Sequence, residues 1–421
     1  MNKQTYRDWL RHILIVLLLI SAFFLLRHTG YYAGIKGLQS GTAERSESAG
    51  TDVREPLGAS VAVRPVAVTV CGPEGGARYG AAYDAHTEAV LRRFSVELGE
   101  ALGSAGEPIE CSEEEFRALM GDSCVCVHFA WPLPLQIIAA WLGTDMSGAA
   151  ASDSAALICL SASENVTALG YRTPEGRRFS CATAARPDAL RVHTLDYPPN
   201  GAMYAWETDR IAGGDALLLP AAPECAVVKS APALPAGAER DALLRTMGMN
   251  SYVASSYSEA DGTVVYVNNE SSVRLSPGGA AVFRGPASPD TRGGGTMAEA
   301  VDAAWVLAER SIGLTCGDGS LVLSGVSHSE SQETDTVYAD YMVDGIPVRL
   351  ASGHAAEIVM RGSTVVQARL QFRRFARGEE RTEMLPWLQA AAIALDAGSV
   401  PALIYADAGD ATECMWVIAD G

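Results

Sequence analysis

Positive charge is scarce in this chain: 32 Lys and Arg stand against 50 Asp and Glu, for a formal net charge of −18. A field of that sign repels a phosphate backbone, and no basic cluster offsets it, so the reading is no nucleic acid. Gly at 41 and Pro at 20 are ordinary for 421 residues, which removes collagen-like and low-complexity classes. Catalytic signatures are missing too. There is no GxSxG elbow, no SxxK and no HExxH, and the seven His stand one at a time. Arg292-Gly293-Gly294-Gly295 lacks the Lys and Ser/Thr of a phosphate-binding loop. His128, between Val127 and Phe129 in an apolar run, reads as a hydrogen-bonded core histidine. The acidic run Glu113-Glu114-Glu115 suits a helix N-terminus. No catalytic, cofactor-binding or metal-binding residue is therefore assigned. A glycosidase stays open, because its two carboxylates need only meet in space.

Disulfide spacing is also lacking. Nine Cys is an odd number, so at least one thiol stays unpaired, and the spacings form no framework. Without a CxxC, a zinc or thioredoxin-like site is unsupported. Cys124 and Cys126 lie two apart in an apolar run, where strand alternation sends both sulfurs to one face. Most of the cysteines read as small buried hydrophobes.

One long hydrophobic run is present, from Trp9 to Leu26. It is short for a hydrocarbon core that asks for about 20 residues, but Arg11 and Arg27 can snorkel, and Tyr31 and Tyr32 suit the interface. Lys3, Arg7 and Arg11 precede it and place the N-terminus in the cytoplasm and the body outside. A cleaved signal peptide is the alternative; no small-x-small site follows the run directly. Ser21 and Ala22 are the small residues of the span and, with Leu14, Leu18 and Leu25 at helical spacing, form a candidate contact face for a partner helix.

The expected organisation is a cytoplasmic tail (1–8), a membrane anchor (9–32), a flexible linker (33–65), an α+β domain (66–220), a Pro-rich linker (221–237) and a second α+β region (238–290 and 296–421). In the first domain a strand is expected at Val66–Cys71, one helix over His86–Gly103, and a capping box at Ser112-x-x-Glu115. A buried strand Val125–Ala130 then leads through Pro132 and Pro134 into a short helix. In the second region Asp261-Gly262 suits a type I′ hairpin, and Thr296-x-x-Glu299 caps a helix with Val301, Ala304, Trp305, Ala308 and Ile312 inward. Four strands, a helix from Leu385 to Leu395 and two terminal strands follow.

The second region repeats itself. Val273-Arg274-Leu275-x-x-Gly278-x-Ala280-Ala281 returns 75 residues later as Val348-Arg349-Leu350-x-x-Gly353-x-Ala355-Ala356, with Tyr266 and Tyr341 at the same offset. Chance similarity in an Ala- and Gly-rich chain competes with duplication of a helix-plus-antiparallel-meander unit. If duplicated, each VRL strand turns at its Gly and returns through the paired Ala, with Gly278 and Gly353 at equivalent turns.

A basic tail, one span, a tether and a body with a duplicated helix-plus-meander resemble the YycH/YycI family, regulators of the WalK (YycG) sensor histidine kinase in Gram-positive bacteria. The residues that carry this are Leu243-Leu244-x-x-Met247-Gly248-Met249-Asn250, Tyr257, Asp261-Gly262-Thr263-x-x-Tyr266-Val267, Tyr341 through Val348 (YMVDGIPV), Leu403-Ile404-Tyr405 and Trp416-Val417-Ile418. In the N-terminal part, His128 to Leu142 is the best local match. Two exported domains favour the longer YycH type. The resemblance implies a non-enzymatic membrane protein that contacts a sensor histidine kinase, with a paralogous regulator as a further candidate partner. A membrane-anchored wall enzyme or wall-binding module is the competing class.

Overall fold

Alternating apolar residues make strand the commonest regular element among the described residues. The computed structural model describes residues 63–419, apart from 74–75, 122, 164, 209–214, 251, 269, 288–295, 396–399 and 410–411. The anchor and its contact face Leu14, Leu18, Ser21, Ala22 and Leu25 lie outside the described residues. Among the described residues no helix is long and apolar enough to cross a membrane.

The N-terminal half contains β1 (Pro65–Cys71), β2 (Arg78–Ala82), α1 (Ala85–Arg93), α2 (Ser95–Gly103), β3 (Ile109–Glu110) and α3 (Glu113–Leu119). It continues with β4 (Cys124–Pro134), α4 (Leu135–Trp141), β5 (Ser154–Ser163), β6 (Val166–Arg172), β7 (Arg178–Thr183), α5 (Pro187–Thr194), and the short β8 (Met203–Tyr204) and β9 (Leu217–Leu218). Seven strands form one antiparallel sheet in the order β2-β1-β4-β5-β6-β7-β3.

The single helix expected over His86–Gly103 is two helices. Ser95 Oγ donates to the Arg92 carbonyl at 2.9 Å, and Phe94 between them has left helical geometry, with φ −104 and ψ 7. The apolar stripe survives the break: Val90, Leu91, Phe94, Leu98 and Leu102 are all buried. The Ser112 capping box forms as expected.

Strand β4 runs further than expected, through both prolines. Its pairing with β5 shifts between His128 and Leu133. Pro132 has no N–H to give a ladder, and Phe129 to Pro132 leave the β5 side of the sheet before Leu133 and Pro134 rejoin it opposite Ala155 and Ser154. Ala130 and Trp131 instead pack beside Val322 and Met342 of the second sheet.

That second sheet has thirteen strands. Its elements are β10 (Glu224–Pro232), α6 (Ala238–Thr246), β11 (Ser255–Ser258), β12 (Val264–Val267), β13 (Ser272–Leu275), β14 (Ala280–Ala287), α7 (Met297–Ser311) and β15 (Ser320–Ser329). Then come β16 (Thr334–Val343), β17 (Ile346–Leu350), β18 (Ala356–Arg361), β19 (Thr364–Gln371), β20 (Arg373–Glu383), α8 (Trp387–Leu395), β21 (Val400–Asp407) and β22 (Thr412–Ala419). Six strands, not four, separate α7 from α8.

The stretch expected to be a Pro-rich linker is a strand. Pro220, Pro223, Pro232 and Pro235 bracket Cys225–Ala231 without entering it, so the amides needed for pairing are kept, and β10 pairs with β20 from Glu224↔Glu383 to Pro232↔Arg373. The hairpin at Asp261-Gly262 forms, but not with a type I′ turn. Gly262 alone has positive φ, at +84, and its N–H donates to the Glu259 carbonyl.

The duplication holds in part. Tyr266 pairs with Val273 and Tyr341 with Val348, the same register 75 residues apart. The return through the paired Ala occurs only in the first copy, where β14 pairs back on β13 with Leu275↔Ala281. In the second copy β15 pairs with β16 along its whole length, so β17 and β18 share the other side of β16 end to end. The outer side of β17 is taken by β21, parallel to it at Val348↔Tyr405, which leaves no place for a returning strand. The true counterpart of β14 is β19, and β14 and β19 pair with each other. Two meanders, β11-β12-β13-β14 and β15-β16-β18-β19, thus meet edge to edge, with α6 and α7 before them. Gly278 is not the turn residue with special backbone geometry; Gly279 is, at φ +93, matching Gly353 at +98. A Cβ on Gly279 would lie 2.7 Å from the Phe372 carbonyl.

Helix α7 packs on β16, β18 and β19 and also touches α4 and α6, so the two sheets share one hydrophobic core. Deep in the second sheet Arg373 holds Asp407 through two hydrogen bonds, Nε to Oδ2 at 2.7 Å and Nη2 to Oδ1 at 2.8 Å. Ser230 Oγ donates to Asp407 at 2.8 Å and accepts from Arg373 at 2.8 Å. All three residues are buried. Asp407→Ala strands a buried guanidinium, and the expected loss is about 3–5 kcal/mol, whereas an apolar replacement of both partners costs much less. Urea unfolding of the single and double variants checks this; a loss below about 1 kcal/mol in Asp407→Ala would show that the pair is dispensable.

Candidate functional site

The residues that β4 releases from its ladder open a cavity of about 410 Å³ between the two sheets. One wall is His128, Phe129, Ala130, Trp131 and Pro132, with Arg172 to Pro174 from the end of β6 and Asp215. The other is Asp340 of β16, Pro347 to Leu350 of β17, Gly353 and His354 from the excursion before β18, and Pro401 to Ile404 of β21. Tyr83 and Trp387, whose rings stack at 5.9 Å, complete it. The lining is largely apolar and aromatic, with a few charged groups on each wall. Such a lining suits a small amphipathic ligand. A wider cleft of about 970 Å³ lies beside β2 and β10, where Arg64 pairs with Glu88 and Arg377 with Asp344.

Each wall of the cavity pairs a carboxylate with a cation. Asp215, almost wholly buried, accepts from Arg172 Nη1 at 2.9 Å. Asp340 Oδ2 lies 2.7 Å from His354 Nδ1, and Asp340 Oδ1 accepts from the Ala355 amide at 3.0 Å. The hydrogen bond to Asp340 raises the pKa of His354 above its ordinary value, against the opposing effect of burial. His128 is the opposite case. Burial pushes it down to about 4, so it is neutral near pH 7, and Nε2 meets Tyr204 Oη at 3.2 Å. Arg349 lines the cavity and makes no ion pair among the described residues.

His128, read from the sequence as a hydrogen-bonded core histidine, is hydrogen-bonded on a buried strand as expected, but it is only half-buried because it faces the cavity. What the sequence reading missed is that His128 and His354, far apart in sequence, line one cavity. Its repeat-defining residues Tyr266, Gly278, Tyr341 and Gly353 are not brought together into a site. Tyr266 sits in β12, with the Arg240 guanidinium 5.9 Å from its ring. Tyr341 donates to the Gln371 carbonyl at 2.8 Å. Gly353 alone reaches the cavity wall.

A second group of residues was read from the sequence only as small buried hydrophobes. Two and four residues before His128 on β4, Cys126 and Cys124 join Cys159 of β5, with the three sulfurs within 4.8 Å of one another and all buried. Alternation along β4 supplies two of them, as expected, and the register Cys126↔Cys159 supplies the third. The C-terminal sheet, by contrast, joins Cys225 of β10 to Cys414 of β22 in a disulfide, which no spacing in the sequence signals.

No protein-family model matches the chain, and no curated protein does. Among solved structures, a crystal structure of YycH from Bacillus subtilis aligns over 87% of this chain and 97% of its own length, with a TM-score of 0.53 and 10% identity. At that identity the likeness is one of fold: the chain has a YycH-like fold, mixed α+β and mostly sheet.

Because His354 holds its proton more tightly in the folded state, its stabilising contribution is complete below the unfolded value near 6.5 and is lost as pH rises through its raised folded value. Replacing it with Gln removes that term. The wild-type protein should lose more stability than His354→Gln between pH 5.5 and pH 8.5, as read from urea midpoints; equal losses would show that the Asp340 contact does not hold the proton.

Proposed function

We propose that this protein is a membrane-anchored, extracytoplasmic regulator of a two-component sensor histidine kinase that controls cell-wall metabolism, and that it acts by protein–protein contact. The observation that carries the proposal is the fold likeness to YycH, which runs across both sheets rather than one module. It coincides with the YycH/YycI resemblance of the local motifs, and the family's kinase regulation is what that resemblance implies. The anchor at Trp9–Leu26 and its face of Leu14, Leu18, Ser21, Ala22 and Leu25 supply the membrane part of the proposal. Signalling follows if the regulator binds one kinase state more tightly than the other, with a coupling of typically about 1–3 kcal/mol.

The competing enzyme reading needs carboxylates able to work as acid and base. In the cavity both Asp215 and Asp340 are already committed to cations, Arg172 and His354. That pairing favours a binding cavity over a hydrolytic one.

Replacing Trp9–Leu26 by an unrelated span of equal length, with export intact, tests the membrane contact. The expected result is loss of kinase co-purification from solubilised membranes and altered kinase output. Unchanged co-purification and output would remove the membrane contact, and hydrolysis of purified wall by the protein would move the assignment to the enzyme class.

A further inference from the structure

The face of the first sheet that looks toward α3 carries a layer of sulfur. Cys124 and Cys126 are two residues apart on β4 and share that face. Cys159 of β5 stands directly across from Cys126, with the two sulfurs 3.2 Å apart. Cys71 of β1 stands directly across from Cys124 on the other side. Above them the turn after α3 lays down two carbonyls: Cys159 Sγ is 3.5 Å from Leu119 O, and Cys71 Sγ is 3.2 Å from Gly121 O. Phe116, Met120, Leu157 and Tyr204 enclose the layer. A core that needed only small apolar residues here could use Ala or Val. Three adjacent strands instead deliver thiols to one spot.

We propose that Cys124, Cys126 and Cys159 form a thiolate site for a soft d10 metal ion, Zn(II) or Cu(I), with Cys71 placed to complete it. Three sulfurs bound at about 2.3 Å to one ion lie roughly 4 Å from each other. The observed sulfurs, within 4.8 Å, need to shift by less than an ångström. Thiolate donors without imidazole or carboxylate select such ions over Mg or Ca. On binding, each ligating thiol gives up its proton to solvent and the metal takes the sulfur lone pair, so no oxidant or reductant is involved. The site also explains how adjacent thiols stay reduced in a molecule whose other sheet carries the Cys225–Cys414 disulfide. It lies beside His128, which is two residues along β4 from Cys126, so an ion there would fix the strand that forms one wall of the cavity.

The test uses the full chain purified in detergent under anaerobic, reducing conditions. Zn(II), Co(II) as its spectroscopic substitute, and Cu(I) are each titrated against a chromophoric chelator, and bound metal is measured by mass spectrometry. The expected result is about one equivalent of Zn(II) or Cu(I) per chain, with sulfur-to-cobalt charge-transfer absorption for Co(II). Cys126→Ala and Cys159→Ala should lose it, while Cys181→Ala, a buried cysteine on β7, should keep it. A second measurement needs no variant: metal should protect Cys124, Cys126 and Cys159 from alkylation in the wild-type protein during brief partial unfolding. No stoichiometric binding by the reduced protein, binding that persists in both variants, or a native Cys126–Cys159 disulfide would each overturn the assignment.

Discussion

The buried ion pair of Arg373 and Asp407 is the constraint on which the larger sheet depends. It lies where β20 begins and β21 ends, and Ser230 of β10 completes it. These three segments are distant in sequence, and burial of charge is tolerated only when partners are in place. Once Asp407 is fixed, β21 is held beside β17 in the one parallel pairing of the sheet, Leu350↔Asp407. That pairing occupies the edge where a hairpin return would otherwise form, and it forces the chain after Leu350 into the excursion that carries His354. The cavity wall is thus a consequence of a charge pair at the end of β21.

What was legible in the sequence was local. Ser112 and Thr296 cap their helices with Glu115 and Glu299 because the chemistry of a capping box is complete within four residues. The buried stripe of α7 could be read from its spacing, and so could the common fate of Cys124 and Cys126. What could not be read depends on partners far along the chain. The Ala-Ala match in the repeat looked like a return strand, but Ala355 and Ala356 continue along β16 because β21 stands in the way. The prolines around β10 resembled a linker until the strand between them was paired. His128 and His354 meet only through the packing of one sheet on the other, and Cys159 reaches Cys126 only through register.

The functional picture combines a fold likeness with local sequence motifs and a cavity at the seam between two sheets. Paired charges on both walls and aromatic rings between the sheets make that seam a place where a bound molecule would touch both halves at once. Strand β4 is shared by the seam and the sulfur layer. The stretch before Leu133 is released to the cavity, and Cys124 and Cys126 lie in the paired stretch before it, all within the 11 residues from Cys124 to Pro134.

The Cys225–Cys414 bond has a consequence for how the molecule meets a protease. Its sulfurs are 189 residues apart in sequence, and both meanders, α7 and the Arg373–Asp407 pair fall between them. A protease that cuts a loop anywhere in that interval opens the chain but releases nothing, because the two pieces remain covalently joined and packed into the same sheet. A nicked molecule therefore keeps its fragments together, and its clearance requires reduction as well as proteolysis.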